Sequence, residues 1–367
     1  MRGAERARGE MGSEAASLDD PAAIRSADPG GMLGLIAHLG EQLRAGYAAG
    51  AGASGLPSSD GIRSVAVCGM GGSGIAGDVA HALFAPRLPF PLAVVKGYEL
   101  PEFCGRDTVV VAVSFSGATE ETLAVYAEAL ARGCRLVAVS KEGRLAGLAR
   151  TDEVAHVAVP LETPPIPRAA IGLLAGSVIG VLEALGIIPP ASDDVEATAR
   201  VLAELARELG PDRPEGANEA KRIARWLEGK IPVVWGSEGL AAAAAIRWKN
   251  QLNENAKLPA LANWVPELDH NEIEAWSAGD PTRYRAVLLR HRGEHPRNAI
   301  RMTATAEVAE STGLQVRQVQ ATGTDPLAWL FSLIMVGDFA SAYLAILRGV
   351  DPVAIPVLTG FKERLPT

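Results

Sequence analysis

The chain has 367 residues, of which 48% are hydrophobic and 21% are charged, and its formal net charge at pH 7 is −8. This length and composition exclude a disordered or fibrous protein and allow two domains, each with its own core. The acidic balance suits a cytoplasmic protein and provides no basic surface, so nucleic acid is not an expected partner. An anionic small substrate would need a local positive site.

The N-terminal residues carry charges of both signs without an apolar core, which argues against a secretory signal and predicts a disordered tail over residues 1–30. Two later apolar runs, residues 169–190 and 325–347, approach the length of a membrane span. Because Glu183 and Asp338 interrupt them, we expect buried helices of an α/β protein and no membrane partner.

The first half of the chain alternates strands and helices. Short runs rich in valine predict strands near residues 64–68, 90–95, 109–113 and 135–139, and helices are expected near 74–85 and 119–131. Such alternation is typical of a parallel, doubly wound sheet. Two long helices follow, over residues 168–186 and 192–209.

The segment "GPDRPEGAN", residues 210–218, resembles a domain linker, and the alternation restarts after it. Strands are predicted at residues 231–236, 285–290 and 314–320, and helices at 216–229, 238–257 and 297–311, followed by a last long helix. The second half also has a strand followed by Gly236, Ser237 and Gly239, which indicates an internal duplication.

A glycine turn follows the first strand, in "VAVCGMGGSGIAGD", residues 65–78. Glycines let a backbone approach an anion, and the helix near Ser73 directs free N–H groups at it, so the ligand is a dinucleotide or another phosphate. A dinucleotide fold needs an acidic residue at the end of the second strand, where this chain has Lys96. That difference favours another phosphate.

A second polar turn, "SFSGATEET", follows the strand at residues 109–113. In a parallel sheet both turns lie at the carboxyl ends of strands, so their hydroxyls can converge on one phosphate. The alternative is that serine and threonine only cap the helix near Glu120. The expected phosphate ligands are Gly71, Gly72, Ser73, Ser114, Ser116 and Thr119.

Three cysteines, Cys68, Cys104 and Cys134, lack the CxxC spacing and lie in or beside apolar runs. This pattern favours reduced, mostly buried thiols over a disulfide framework or a zinc site, and hence a reducing compartment. His291 and His295 lie in a charged loop without carboxylate or thiol companions that would make them a zinc pair.

The turns "GMGGSGIAGD" and "SFSGATEETL" resemble the sugar isomerase (SIS) domain. More narrowly, "VVKGYELP", "PRAAIGLL", "RWKNQLNENAKLPALANWVPELDHNEIEAW" and "DPVAIPVLTGFKERL" are similar to the bifunctional phosphoglucose/phosphomannose isomerase family. The resemblance implies an α/β fold with two flavodoxin-like or Rossmann-like SIS subdomains, over residues 31–209 and 216–350. A C-terminal active-site segment follows at 351–367.

The same resemblance implies a homodimer that interconverts glucose 6-phosphate or mannose 6-phosphate with fructose 6-phosphate, without metal or other cofactor. Moving a carbonyl between C1 and C2 of a sugar needs a base that removes one proton and returns it to the neighbouring carbon. Glu254, near the end of the helix at residues 238–257, is the expected base. The alternative is an ordinary solvated glutamate.

Three further residues match positions of that family. His270 can act as an acid or base near neutral pH, and the resemblance assigns it ring opening, from the partner subunit. The alternative is a loop histidine bonded to Asp269 or Glu272. Arg168 matches the cation beside the enediolate, and Lys362 matches a lysine that assists ring opening but by composition is a surface lysine.

Other functions remain open at this point. A SIS module that only senses phosphosugars would need none of the four catalytic residues, and an amino-sugar phosphate isomerase would lack the "NENAK" and "HNE" motifs. A nicotinamide-dependent dehydrogenase does not fit Lys96. The segments "DPVAIPVLTG" and "NEIEAW" depart from the commoner family pattern and leave the preference between glucose and mannose open.

Overall fold

A computed structural model describes residues 17–160 and 166–365. Residues 17–30 do not form the expected tail, because Leu18 and Ile24 are fully buried. The Asp20 carboxylate accepts hydrogen bonds from the first N–H groups of helix α1, Pro21–Ala27. Residues 1–16 of the predicted tail and residues 366–367 of the C-terminal segment lie outside the described residues.

The first half is a five-stranded parallel sheet with helices on both faces, in the order β2-β1-β3-β4-β5. Every residue of the Val-rich β3 is buried, as expected of a central parallel strand. The strands are β1 Ser64–Cys68, β2 Leu92–Val95, β3 Thr108–Ser114, β4 Arg135–Ser140 and β5 Ala155–Ala158. The further helices are α2 Met32–Ala37, α3 Leu39–Ala51, α4 Gly71–Phe84, α5 Glu120–Ala131, α6 Arg144–Thr151, α7 Ile171–Ala184 and α8 Ser192–Leu209.

The second half is a four-stranded parallel sheet in the order β7-β6-β8-β9. This order matches β2-β1-β3-β4 of the first sheet, as an internal duplication would give. The strands are β6 Ile231–Ser237, β7 Leu261–Val265, β8 Tyr284–Arg290 and β9 Gln315–Gln320. The helices are α9 Glu219–Leu227, α10 Leu240–Glu254, α11 Pro296–Ser311, α12 Pro326–Leu347 and α13 Pro356–Lys362.

The two halves share one hydrophobic core, in which α7 and α12 are central. α12 has the length and apolar composition of a membrane span, but 94% of its most apolar window is buried inside the protein. α3 packs against α7 at backbone distance, since a Cβ at Gly46 would lie 2.1 Å from the carbonyl oxygen of Leu173. The expectation that both long apolar runs form buried helices is confirmed.

The expected linker, residues 210–218, is held by the fold. Lys221 is fully buried and its Nζ donates hydrogen bonds to the carbonyl oxygens of Leu18, Pro211 and Arg213. Because residues 210–218 are bonded to the rest of the fold and both halves share one core, these contacts do not mark a domain boundary. The division of the chain into two subdomains stays a prediction. The expected free thiols are confirmed: all three cysteines are unpaired, and burial raises the pKa of Cys104 to about 11.

Candidate active site

The glycine turn between β1 and α4 approaches the segment that carries Arg168. A Cβ at Gly72 would lie 2.9 Å from the carbonyl oxygen of Pro167 and 3.2 Å from the Cα of Arg168. Gly71 has a φ of +51°, in the left-handed region that favours glycine. α4 begins at Gly71, and no described side chain caps its first turn. The positive end of α4 thus lies beside Arg168.

The four hydroxyls of the two turns lie at one edge of the first sheet. Ser73 Oγ accepts a hydrogen bond of 3.1 Å from the N–H of Phe115, which links the turn after β1 to the turn after β3. Ser114 Oγ lies 2.8 Å from Thr119 Oγ1, and Ser116 Oγ accepts from the N–H of Ala118. Although Thr119 is the residue before α5, its side chain does not cap that helix. Simple capping therefore does not explain Thr119.

Arg168 is buried and held from two sides, in a short 3-10 turn over Pro167–Ala169. Its Nε donates a hydrogen bond of 2.8 Å to Asn255 Oδ1. Its Nη2 donates to the carbonyl oxygens of Pro352 and Val353, at 2.6 and 2.7 Å. These contacts fix the guanidinium plane and leave Nη1 toward the site.

Glu254 is the last residue of α10, and its side chain is 32% exposed. Its Oε2 lies 3.8 Å from Arg168 Nη1, which is the distance of an ion pair. Burial lowers the pKa of Arg168 and the Glu254 carboxylate opposes that shift. The end of α10 therefore supplies both the candidate base and, in Asn255, a residue that orients the neighbouring cation.

A buried ion pair supports this arrangement from the core. The guanidinium of Arg247 on α10 contacts the carboxylate of Asp338 on α12 at 2.7 Å, and its Nη2 also donates to the carbonyl oxygen of Arg168 at 2.6 Å. Burial raises the pKa of Asp338, and Arg247 opposes that shift. Breaking one side of such a pair is expected to be strongly destabilising.

His270 lies apart from Glu254 and Arg168. It ends a 3-10 turn over Glu267–His270 and is exposed. Within the described residues it bonds neither of its two expected partners, because Asp269 pairs with Arg301 and Glu272 accepts from Trp235 and Asn263. The bonded loop histidine is therefore not what the structure shows.

Lys362 is the last residue of α13 and is exposed. The segment that precedes α13 contacts the site through the carbonyl oxygens bonded to Arg168. The structure thus groups Glu254, Arg168 and the two polar turns, and leaves His270 and Lys362 at the surface.

Known proteins of similar sequence cover nearly the whole chain. A bifunctional phosphoglucose/phosphomannose isomerase from Caldicellulosiruptor bescii is 34% identical over 336 residues, which are 91% of this chain and 98% of that protein. The chain belongs to the bifunctional phosphoglucose/phosphomannose isomerase family. A protein of the same name from Aquifex aeolicus is 33% identical over 83% of this chain and 90% of its own length.

Two further comparisons agree with membership of the bifunctional phosphoglucose/phosphomannose isomerase family. Residues 216–365 match the family model of the bacterial phospho-glucose isomerase C-terminal SIS domain. The crystal structure of a hypothetical protein from Thermus thermophilus has the same fold, with a TM-score of 0.70 at 18% identity over 94% of both chains. The predicted α/β fold with two parallel sheets is confirmed.

Lys96 pairs with an acidic residue of the neighbouring helix. Its Nζ pairs with Asp78 of α4 at 2.5 Å, at the strand end where a dinucleotide fold would have an acidic residue. Within residues 17–160 and 166–365, no group of three or more histidine, cysteine, aspartate or glutamate side chains could hold a metal ion.

Sequence reasoning missed the residues that hold Arg168. It identified Arg168 and Glu254, but not the pairing of Arg247 with Asp338. Asp338 stood out only as a charge within an apolar run. That signal could have identified it, because a carboxylate in a buried helix needs a partner. For Asn255, the sequence contains no signal other than its position next to Glu254 in the same motif.

Proposed function

We propose that this protein is an aldose–ketose isomerase that interconverts glucose 6-phosphate, mannose 6-phosphate or both with fructose 6-phosphate. The observation that carries the proposal is the 3.8 Å contact between Glu254 and the fixed guanidinium of Arg168, beside two turns rich in hydroxyls. Relatives named for both activities support the two aldoses. The substrate is a phosphosugar with its phosphate at the first sheet.

The phosphate binds where α4 begins. The N–H groups of Gly71 and Gly72 lie at the positive end of that helix, which favours an anion. The hydroxyls of Ser73, Ser114 and Thr119, with that of the exposed Ser116, donate to phosphate oxygens. No cation is needed in this cradle, since hydroxyls and amides suffice for one terminal phosphate.

Glu254 moves the proton. Its carboxylate removes the proton from C2 of the open-chain aldose, the electron pair forms the C1–C2 double bond, and O1 becomes an enediolate oxygen. A proton passes from O2 to O1, and Glu254 returns its proton to C1 as O2 becomes the carbonyl oxygen. Arg168 Nη1 stabilises the negative charge as it develops. Because aldose and ketose are isomers, no electron acceptor is consumed.

Ring opening precedes this step and involves His270 and Lys362. Both are exposed, and neither forms an ion pair or hydrogen bond with Glu254 in the described part of the chain. That position suits a homodimer in which His270 reaches the site of the partner subunit. A reducing, cytoplasmic location is consistent with the three unpaired cysteines.

The test is a coupled assay of the purified protein with glucose 6-phosphate and with mannose 6-phosphate, each followed by fructose 6-phosphate formation. Turnover of at least one aldose is expected, and the ratio of the two kcat/KM values gives the epimer preference. Tight binding of both sugars without turnover would instead indicate a phosphosugar sensor. Turnover only of an amino-sugar phosphate would move the protein to that class of isomerase.

A further inference from the structure

Lys257 has a backbone conformation that favours glycine. Its φ is +52°, and it lies just after the end of α10, where the N–H of Leu258 donates back to the carbonyl oxygen of Leu252. Left-handed residues that end helices are usually glycine or asparagine, because a Cβ is strained there. Such strain collects at functional sites, where surrounding contacts maintain it.

The Lys257 amine connects the end of α10 to the C-terminal segment. Its Nζ donates to the carbonyl oxygen of Asn255 at 3.1 Å and also to that of Asp351, 94 residues away in the chain. Burial lowers the pKa of Lys257, and the neighbouring Arg168 lowers it further. Asp351 and Glu254 oppose that shift and help keep the amine charged. Hydrogen bonds from a charged donor are stronger than those from a neutral one.

Arg168 binds the next two carbonyl oxygens of the same segment, those of Pro352 and Val353. Three consecutive carbonyl groups, at residues 351–353, thus accept hydrogen bonds from two cations. Arg168 Nη1 lies 3.8 Å from Glu254 Oε2, and Lys257 lies three residues after Glu254 in the chain. The segment is therefore attached at the site itself.

The helix that follows has little other attachment. None of the residues of α13 is buried, and Val357 and Phe361 are 85% and 57% exposed. Since α13 carries Lys362 at its end, the position of Lys362 depends on how residues 351–353 are held.

We propose that Lys257 is a positioning residue: by holding the carbonyl of Asp351 beside Glu254, it sets where α13 and Lys362 lie relative to the bound sugar. The kinetic part of this inference rests on the proposed function. The anchoring part does not, because it concerns only how the C-terminal segment is held.

Hydrogen–deuterium exchange of the full-length protein tests the anchoring. In Lys257→Met, amides of residues 351–365 should exchange about tenfold faster than in the wild type, as expected when a hydrogen bond to a charged group is lost. Lys257→Arg, which keeps the charge and the donor, should restore most of the protection. Lys249→Met, at a half-buried lysine of α10, is the matched control and should leave this segment unchanged.

Lys257→Gly separates positioning from stability. Glycine relieves the left-handed strain, so Tm should stay level or rise while the amides of residues 351–365 exchange as fast as in Lys257→Met. Unchanged exchange in either variant would overturn the proposal.

A double-mutant cycle tests the kinetic part. Lys257→Met should lower kcat/KM about tenfold, and the double variant with Lys362→Met should lower kcat/KM by less than the product of the two single effects.

The two proposals fail separately. A wild type without isomerase activity would refute the proposed function, and the exchange experiment would still decide the anchoring. An active wild type in which the effects of Lys257→Met and Lys362→Met multiply would refute only the link between the two lysines.

Discussion

Four strands of the first sheet and the four strands of the second have the same order, but the loops at the carboxyl ends of the strands contain different residues. After β3, the loop presents Ser116 and Thr119, and Thr119 Oγ1 lies 2.8 Å from Ser114 Oγ. After β8, the loop contains a carboxylate that bonds to the loop itself. Glu294 accepts a 3.0 Å hydrogen bond from the N–H of His291 and pairs with Arg290 at 2.9 Å. The second edge thus supplies its own anion.

The space beside that loop is also filled. His291 is buried and stacks on Trp329, with ring centroids 5.6 Å apart, and its Nε2 lies 3.5 Å from Ser237 Oγ. Ser237 ends β6, the strand that corresponds to β1. Ser237 and His291, which lie where the second sheet would have a phosphate cradle, therefore contact each other.

The two halves also use opposite ends of corresponding helices. α4 follows β1 and offers its N-terminal end, which favours a phosphate, whereas α10 follows β6 and offers its C-terminal end, which carries Glu254. In this account one half binds the substrate and the other supplies the base. Four variants test that division, and their expected effects decrease in the order given.

Glu254→Gln keeps the shape of the side chain but cannot take a proton. We expect kcat to fall by about 100-fold to 10,000-fold, the range for a positioned general base. Affinity for glucitol 6-phosphate, which lacks the carbonyl, should change little because the first sheet supplies that binding. Glu238→Gln, an exposed residue just before the other end of α10, is the control. Near wild-type kcat in Glu254→Gln would contradict the assignment.

Arg168→Lys keeps the charge but loses the planar guanidinium, whose N–H groups bond Asn255, Pro352 and Val353 at the same time. We expect kcat to fall about 100-fold, because a lysine cannot hold these contacts and also direct a donor at the enediolate. A thermal melt checks the fold. A loss confined to KM would show that Arg168 contributes binding rather than stabilisation of the enediolate.

Ser114→Ala removes one phosphate ligand from the first sheet. KM should rise about tenfold with little change in kcat, since a hydrogen bond to a charged group contributes to ground state and transition state alike. Ser237→Ala, at the corresponding edge of the second sheet, should leave both constants within about twofold. Equal effects of Ser114→Ala and Ser237→Ala would mean that phosphate binding is not confined to the first sheet.

His291 gives the smallest expected effect, on stability alone. Burial lowers its pKa below 6.5, while Glu294 raises it and Arg290 lowers it further. Between that lowered pKa and 6.5 the unfolded chain binds more protons, so the free energy of unfolding should fall as pH falls through this window. Urea titrations of His291→Gln should show a shallower fall than the wild type. An identical slope would exclude His291 as a contributor.

Much of the fold could be read from local patterns. The helix expected at residues 192–209 has those bounds in α8, because buried residues recur there every three or four positions, as at Val195, Leu202 and Leu209. β7 was missed because it is a short edge strand whose apolar residues are interrupted by Asn263; its Leu261 and Trp264 are 48% and 36% exposed. The buried Leu18 and Ile24 were missed because charged residues dominate that stretch.

The site was only partly predictable. Glycines and hydroxyls at strand ends predict a phosphate site from short motifs, and the prediction of Glu254 as the base follows from its place in a long motif. The contacts of Arg168 join residues that lie 87 and 184 positions apart in the chain, so no local pattern contains them. The role of Lys257 depends on a backbone angle and on a carbonyl of Asp351, and neither is visible in sequence.

If a carboxylate beside a fixed guanidinium moves the proton, solvent deuterium should enter the product. The isomerisation of fructose 6-phosphate is run in deuterated water and the product is measured by NMR. We expect deuterium at C2 of the aldose 6-phosphate, because the proton on Glu254 exchanges with solvent during some turnovers. Product that stays free of deuterium after many turnovers would contradict it and indicate direct hydride transfer between the two carbons.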